Sequence, residues 1–443
     1  SPPECTSSSA FFNMPQTKDT LLLAGDIGGT NSRLALYFPP DEAHSSPRPF
    51  YPPASADTGW KEYLNETYGS FDEVLATFLA DSGLLPPSPS SSPRNIIACL
   101  ACAGPVADNA VAFTNESGNQ FRVDGDALAA DPPLGVAISS CTVVNDFVGA
   151  GYGTLTLDRS GASGEVRILN GAAGDVRSDG VVCCVGAGTG LGECFLTPGS
   201  SGGYVCYPSE GGHKDLSSRS SVEFGAQQHI VAKYGPAGSK RCSIERVASG
   251  TGIANVYEYL AKVSPERADA AVKKELAESL DSLRGKVIGT AAKKGTCGIC
   301  VETMEIFASA YGAEVGNVAC QFIPHGGIFV CGGLTPKNMH LIEGPGSPFM
   351  TAYNDKGRLS KLVKDIPVFA VMVEDLGLRG ARYVAAREYS RLVDGEPGND
   401  EAVPATAATE EASPSPKEGN PYLWAAGGAA AALALVSIFG KKR

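Results

Sequence analysis

The chain has 443 residues, with 36 Lys and Arg against 48 Asp and Glu, a formal charge of −12 and 43% hydrophobic residues. That balance excludes a basic nucleic-acid reader and a wholly disordered chain, and the length allows two or three domains at roughly 100–200 residues each. Glycine is in excess at 53 residues, against an average near 7% and with no collagen-like period, which points to turns that a ligand approaches closely.

Residues 1–18 are rich in Ser, Thr and Pro, and no complete targeting signal can be read from them. From Leu21 the pattern becomes LLLAGDIGGTNSRLALYF, an apolar run, a glycine-rich stretch and a second apolar run. It reads as a β-hairpin whose turn covers 25–31. Pro-rich stretches at 39–53 and 85–93 bracket an expected helix, and the runs 95–104 and 141–147 read as buried strands. VVCCVGAGTGLGECFLT at 181–197 repeats the hairpin pattern, the mark of an internal duplication. Helical composition dominates 221–233, 253–284 and 300–323, and GGIFVCGG at 326–333 adds a further strand and glycine turn.

Thirteen cysteines, several inside apolar runs, read as buried free thiols of a reducing compartment. The pairs Cys99/Cys102 and Cys297/Cys300 have zinc-ligand spacing but lie nearly two hundred residues apart, so they are read as core residues.

Beyond about Ser390 the chain turns acidic and rich in Pro and Ala, and 391–420 is expected to be a disordered tether. Residues 423–440 carry no charge and are followed by Lys441, Lys442 and Arg443. A helix of that length spans about 27 Å, close to a bilayer's hydrocarbon core. Residues 421–443 are therefore expected to be a transmembrane tail anchor, with 421–440 in the membrane and Tyr422 and Trp424 at one interface. Such a tail suits insertion into an organelle outer membrane, mitochondrial or plastid, with the body facing the cytosol.

Glycine turns after strands suit phosphate handling, because backbone N–H groups can approach an anion without a Cβ in the way. GAGTGLG lacks the lysine of a Walker A loop, and Leu191 stands where the dinucleotide fingerprint needs its last glycine. What remains is a pair of hairpins, one with Asp26 at the end of its first strand and both with polar turn residues, Thr30, Asn31 and Thr189. Such a pair can hold a Mg²⁺–polyphosphate from both sides of a cleft.

Eight segments carry a resemblance: GDIGGTNSRLALY (25–37), AGPV with TNE (103–116), VVNDF (143–147), GAGTGLGECFL (186–196), YPSEGGHKDLSSRS (207–220), IERVASGTGIANVY (244–257), GGIFVCGGLTP (326–336) and DKGR (355–358). In this order they resemble the bacterial-type glucokinase family over about 20–388. The resemblance implies an α/β, two-lobed actin-like or hexokinase-like ATPase fold of duplicated RNase H-like domains. It implies a small domain over 19–156, completed by about 372–390, and a large domain over 157–371. The implied activity is transfer of the γ-phosphoryl group of ATP to the 6-hydroxyl of D-glucose, with Mg²⁺, and a homodimer is common in such enzymes.

Carried over residue by residue, the resemblance makes Asp146 the base that takes the 6-hydroxyl proton, an Asp expected near its reference pKa of about 3.9. Asn145, Glu210, His213 and Glu245 would contact the sugar. Gly25, Asp26, Ile27, Gly28, Gly29, Thr30 and Asn31 would form one side of the nucleotide site, with Asp26 organising Mg²⁺ through water. Thr189 and Gly190 would close on the phosphates, and Gly332 and Gly333 would lie beside adenosine. The sequence departs from the family where Phe121 follows Thr114 and Asn115 at unusual distance, and in the long Pro-rich insertions at 39–58 and 85–94, expected on the small-lobe surface. A non-catalytic glucose sensor of the same fold, or a kinase for mannose or glucosamine, are the alternatives. No zinc cluster follows His213.

Overall fold

Two mixed sheets with the same internal order organise the molecule. The computed structural model describes residues 20–394 apart from 57, 85–93, 115–119, 201, 237 and 239. The expected N-terminal segment and membrane anchor lie outside the described residues, as do nearly all of the second Pro-rich insertion and the tether from 395 on; residues 391–394, expected to open that disordered tether, instead continue the helix Leu376–Asp394. Among the described residues no helix is long and apolar enough to cross a membrane.

The first half contains strands β1 (Thr20–Ile27), β2 (Asn31–Phe38), β3 (Arg48–Tyr51), β4 (Lys61–Leu64), β5 (Asn95–Cys102), β6 (Ala110–Thr114), β7 (Gln120–Asp124) and β8 (Ala137–Asn145). The second contains β9 (Val166–Asn170), β10 (Val182–Ala187), β11 (Leu191–Pro198), β12 (Tyr204–Ser209), β13 (Ile328–Cys331) and β14 (Val368–Val371). The first sheet runs β3-β2-β1-β5-β8, with β4 also on β2, and the second runs β12-β11-β10-β13-β14-β9. In both, antiparallel pairs join the first three strands and parallel pairs the next two: β1 with β5 and β5 with β8, β10 with β13 and β13 with β14. The repeated hairpin of the sequence is thus one part of a repeated five-strand order. β6 and β7 form a separate ribbon in which Phe121 is buried against Phe113, so Phe121 supplies core.

Several boundaries differ from the sequence expectation. The first turn covers only 28–30, because β1 runs on through Ile27 in parallel register with β5. The expected helix over 253–284 is three helices, Gly250–Val263, Ala270–Glu278 and Asp281–Lys294, broken at Pro265 and again at Ser279 and Leu280. Pro265 has no N–H and opens a new 3-10 turn, and Asp269 caps the next helix through Ala271 and Val272. The helix expected between the Pro-rich stretches is Phe71–Asp81, capped by the Ser70 hydroxyl. The first Pro-rich insertion lies on the surface, contributing β3 as an edge strand.

Part of the glycine excess has a packing cause rather than a turn. Helix Asp146–Thr154 and helix Leu376–Asp394 meet backbone to backbone. A Cβ on Gly153 would strike the Leu376 carbonyl, and one on Gly380 the Gly149 carbonyl. Only glycine permits that separation, and it brings the start of both helices to the same end of the first sheet. All twelve described cysteines are free thiols, eleven of them buried, with Cys99 and Cys102 inside β5 and Cys297 and Cys300 in the first turn of the long helix Gly298–Phe322.

Candidate active site

A short glycine turn joins β1 to β2 in the first half and β10 to β11 in the second, and polar groups hold both turns. In the first, Gly28 N–H donates to the Asn31 carbonyl at 2.9 Å. The fully buried Asn65 closes it: its Nδ2 donates to the Gly28 carbonyl at 2.7 Å, its N–H to the Thr30 carbonyl at 2.8 Å, and it accepts from Ser32 Oγ at 2.7 Å. Gly25 and Ile27, nominated for nucleotide contact, lie instead within the buried strand. Leu100 and Leu34 fill the space of a Gly25 side chain, and Ile27 is core. The surface a ligand can meet here is that of Gly28, Gly29, Thr30 and Asn31.

The second turn, 188–190, sits on the N-terminus of helix Gly250–Val263. Gly250 N–H donates to the Gly188 carbonyl at 2.8 Å, Thr251 Oγ1 to the Thr189 carbonyl at 3.2 Å, and Ser249 caps the helix through Gly252. The positive end of a 14-residue helix therefore lies under the turn, which favours anions there. Gly332 packs its Cα on the backbone of Ala187 with φ +82°, a left-handed conformation that also leaves no room for a Cβ. The two turns of the second sheet are thus in direct contact.

Asp26 ends β1 facing Gly377, whose Cβ would come within 3.0 Å of the carboxyl carbon. Burial pushes its pKa up to about 6, with Arg33 opposing and Glu62 and Asp375 adding to the rise. Arg33 itself pairs with Glu62 at 3.0 Å, donates to the Glu374 carbonyl at 3.2 Å and lies over the Trp60 ring.

Asp146 is the first residue of the helix that follows β8. Asn145 caps that helix, its Oδ1 accepting from Phe147 N–H at 3.0 Å and its Nδ2 donating to the Gly104 carbonyl at 3.0 Å. One amide hydrogen and one lone pair remain for a ligand, so Asn145 can meet a ligand while holding the start of the helix that carries Asp146. Burial and then the charge of Asp26 push Asp146 up to about 6, Phe147 N–H pulls it back, and Glu210 pushes further. The expectation of an ordinary aspartate is therefore corrected: this carboxylate is desolvated and shares its field with Asp26 and Glu210. The Phe147 ring rests on Gly186 and Gly192, where a Cβ on Gly192 would enter it. Asp146 is thereby pressed against the second hairpin. Gly192→Ala is expected to displace Phe147, lower kcat at least tenfold and cost about 1–3 kcal/mol of stability, as overpacking does; kinetics and thermal melts read both.

Glu210, His213 and Glu245, expected to contact the sugar, lie in two turns that pack on the same hairpin. Glu210 and His213 flank the Gly211–His213 turn with exposed side chains, Glu210 Oε2 and His213 Nε2 lying 3.8 Å apart. Ile244 N–H donates to the Lys214 carbonyl at 2.8 Å, and the Arg241 guanidinium donates to the His213 carbonyl, which sews this turn to the segment carrying Glu245. Glu245 Oε2 accepts from Leu191 N–H at 3.0 Å, and a Cβ on Gly190 would stand 2.5 Å from the same oxygen. Glu245 thus touches the 188–190 turn.

Beneath the Gly211–His213 turn lies an ionic cluster. Lys214 Nζ stands 3.3 Å from Glu193 Oε2 and 2.5 Å from Glu314 Oε1, and both carboxylates are about 95% buried. Burial pushes Glu193 up to about 7 against the pull of Lys214. A Cβ on Gly211 would collide with the Glu193 carboxylate. Lys214 stands beside His213 in the motif, but nothing in its spacing signals two buried partners, one of them a hundred residues away. Asn65 was invisible for the same reason.

Among the described residues no group of three or more His, Cys, Asp or Glu is placed to hold a metal ion alone. The donors at the cleft are carboxylate oxygens raised by burial, a hard set that fits a divalent cation arriving with its phosphates.

The family model described as Glucokinase matches residues 23–388. The chain belongs to the glucokinase family. The glucokinase of Synechocystis is 35% identical over 375 residues, covering 82% of this chain and 98% of that protein. The glucokinase of a Nostoc species is 33% identical, covering 83% and 99%. Among solved structures, a glucokinase from an Antarctic psychrotroph superposes with TM-score 0.62 at 23% identity, covering 82% of this chain and 98% of that one. That of Balamuthia mandrillaris, solved in complex with glucose, gives 0.60 at 20% identity, covering 83% and 93%. These structures share the fold of this glucokinase-family chain, and the family match spans both of its sheets.

Proposed function

We propose that this chain transfers the γ-phosphoryl group of ATP to the 6-hydroxyl of D-glucose, giving glucose 6-phosphate and ADP. The observation that carries the reading is Asp146, a desolvated carboxylate at a helix N-terminus that shares its field with Asp26 and Glu210, next to Phe147, whose ring rests on the hairpin of the 188–190 turn. The duplicated five-strand order supports reading the two sheets as the RNase H-like halves of an actin-like or hexokinase-like ATPase fold.

In the reaction the bond from glucose O6 to the γ-phosphorus forms as the bond from that phosphorus to the β,γ-bridging oxygen breaks. Asp146, raised to about 6, is ionised at neutral pH and takes the O6 proton. It is still basic enough to accept that proton as the hydroxyl becomes an ester oxygen. Glu210, His213, Glu245 and the free amide hydrogen of Asn145 supply donors and acceptors for the remaining hydroxyls. Asp26 would hold Mg²⁺ through water; when bound, the cation offsets charge on the phosphates. The backbone of 28–30 and 188–190 meets those phosphates, and the Gly332–Gly333 turn lies beside adenosine with Gly333 as its open position. ATP- and glucose-dependent formation of glucose 6-phosphate by the full chain, lost in Asp146→Ala, tests this. A wild-type chain that binds glucose without turnover would instead identify a sensor.

We also propose that 421–443 tethers the enzyme to an organelle outer membrane with the kinase facing the cytosol. The support is the uncharged run 423–440 followed by three basic residues. Fluorescent fusions are expected on membranes with the tail and in the cytosol without it, and the same distribution for both would refute the anchor.

A further inference from the structure

Several backbone groups from two strand ends meet at one hydroxyl. Tyr311 lies in the middle of helix Gly298–Phe322, fully buried, its ring edge-on to Phe349 at 5.3 Å and beside Phe307 at 6.0 Å. Its hydroxyl is 3.0 Å from the Val185 carbonyl, 3.1 Å from the Cys331 carbonyl and 3.4 Å from Thr335 Oγ1. It also accepts from Ala187 N–H at 3.3 Å. Thr335 Oγ1 donates to the same Cys331 carbonyl at 2.7 Å.

The place of these partners gives the hydroxyl its meaning. Val185 and Ala187 end β10 just before the turn at 188–190, and Cys331 ends β13 just before Gly332 and Gly333. The strands are parallel neighbours, with Gly186 opposite Cys331, and both leave the sheet at the same edge. Beyond that edge no strand pairing holds the two turns together. The contact of Gly332 on Ala187 and the bonds to Tyr311 and Thr335 do so instead. A side chain needed only to fill the core would be served as well by Phe. The hydroxyl is what spans the gap, and because burial keeps the phenol from ionising it remains a donor.

We propose that Tyr311 is a positioning residue for the nucleotide: its hydroxyl, with Thr335, fixes the spacing between the Thr189 turn and the Gly332–Gly333 turn. This rests on the reading of those turns as the ATP site. Loss of the hydroxyl lets the turns separate while leaving Glu210 and His213, whose turn has its own bonds to 241–244, in place, and Glu245 keeps its bond to Leu191 N–H in β11. The effect therefore falls on ATP and spares glucose.

The test uses the full chain and steady-state kinetics with each substrate varied in turn. Tyr311→Phe is expected to raise KM for ATP about 5- to 20-fold, with KM for glucose within about twofold and kcat little changed, the pattern of lost nucleotide binding. Thr335→Val is expected to act in the same direction, and the double variant to show less than the product of the two effects, since both act on the Cys331 carbonyl. Thr335→Val carries the test if Tyr311→Phe does not fold. Unchanged KM for ATP, or equal rises for both substrates alongside a lower melting temperature, overturns the proposal and leaves Tyr311 a core residue. Gly333→Val is the control on the underlying reading, because only Lys337 Nζ comes within 4 Å of a Cβ there. If that variant leaves KM for ATP unchanged, the turns do not bind nucleotide.

Discussion

Asp146→Asn is expected to lower kcat by about 10²- to 10⁴-fold, the range for loss of a general base, while making the folded protein more stable at neutral pH. Asn keeps the shape and the helix-start position of Asp146, so Asn145 and Phe147 retain their bonds to the backbone. What disappears is a charge in a desolvated place. The wild-type carboxyl holds its proton up to about pH 6 in the folded chain, against 3.8 for an ordinary aspartate. Between those values the native state binds the proton and the unfolded state does not, so stability falls as pH rises through that window. Above pH 6 the full penalty applies, at most about 3 kcal/mol for a shift of this size. Thermal melts should therefore place Asp146→Asn a few degrees above wild type at pH 7.5 and level with it near pH 4. In the wild type, kcat/KM should fall about tenfold per pH unit below 6, as the base becomes protonated. A variant no more stable than wild type at pH 7.5 would mean that the aspartate is solvated and the cleft open to water.

The legible parts of this protein were those with strong local signals. Both hairpins stood out because apolar runs flanked glycine, and the helices at 221–233 and 300–323 because their composition held without interruption. Short strands such as the edge strand Arg48–Tyr51 and the inner strand Val368–Val371 carry four residues each and no alternation that a reader could separate from a loop. The glycines were legible as an excess but not as to cause. Those at 28, 29, 188 and 190 form turns, whereas Gly149, Gly153 and Gly380 let two helices touch and Gly377 leaves room for the Asp26 carboxylate. That contact joins residues more than two hundred positions apart and has no local signature. The site showed the same division. Asp146, Glu210 and Glu245 were nominated by motif, while Asn65 and Tyr311, which hold the turns, look in sequence like a loop amide and one more aromatic on a core helix. Even for Asp146 the motif nominates a role but says nothing of the pKa, because desolvation depends on what the fold brings around it.

Lys214→Met is expected to cost about 3–5 kcal/mol at pH 8, the range for removing one partner of a buried ion pair. Methionine keeps most of the aliphatic stem but leaves Glu193 and Glu314 facing each other without a cation. Burial works against the lysine's charge, yet the two carboxylates outweigh it and hold its pKa above the ordinary range, so it is charged at any working pH. Glu193, whose carboxyl burial already holds well above the ordinary glutamate range, rises further once the lysine is gone. Its folded pKa then lies well above the unfolded one, and stability is lost as pH climbs through it. The deficit of Lys214→Met should accordingly be small near pH 5.5 and largest at pH 8. Glu193→Gln in the same chain should recover part of the loss, because a neutral amide removes the repulsion. Function follows from position: Gly211 lies directly on the Glu193 carboxylate, so a cluster that loosens moves Glu210 and His213. KM for glucose should rise about tenfold or more while KM for ATP, set by turns on the other side of the hairpin, stays within about twofold. Melts of equal temperature for wild type and Lys214→Met at pH 8 would show that the two carboxylates are not held as buried charges, and the turn would need another explanation for its fixed place.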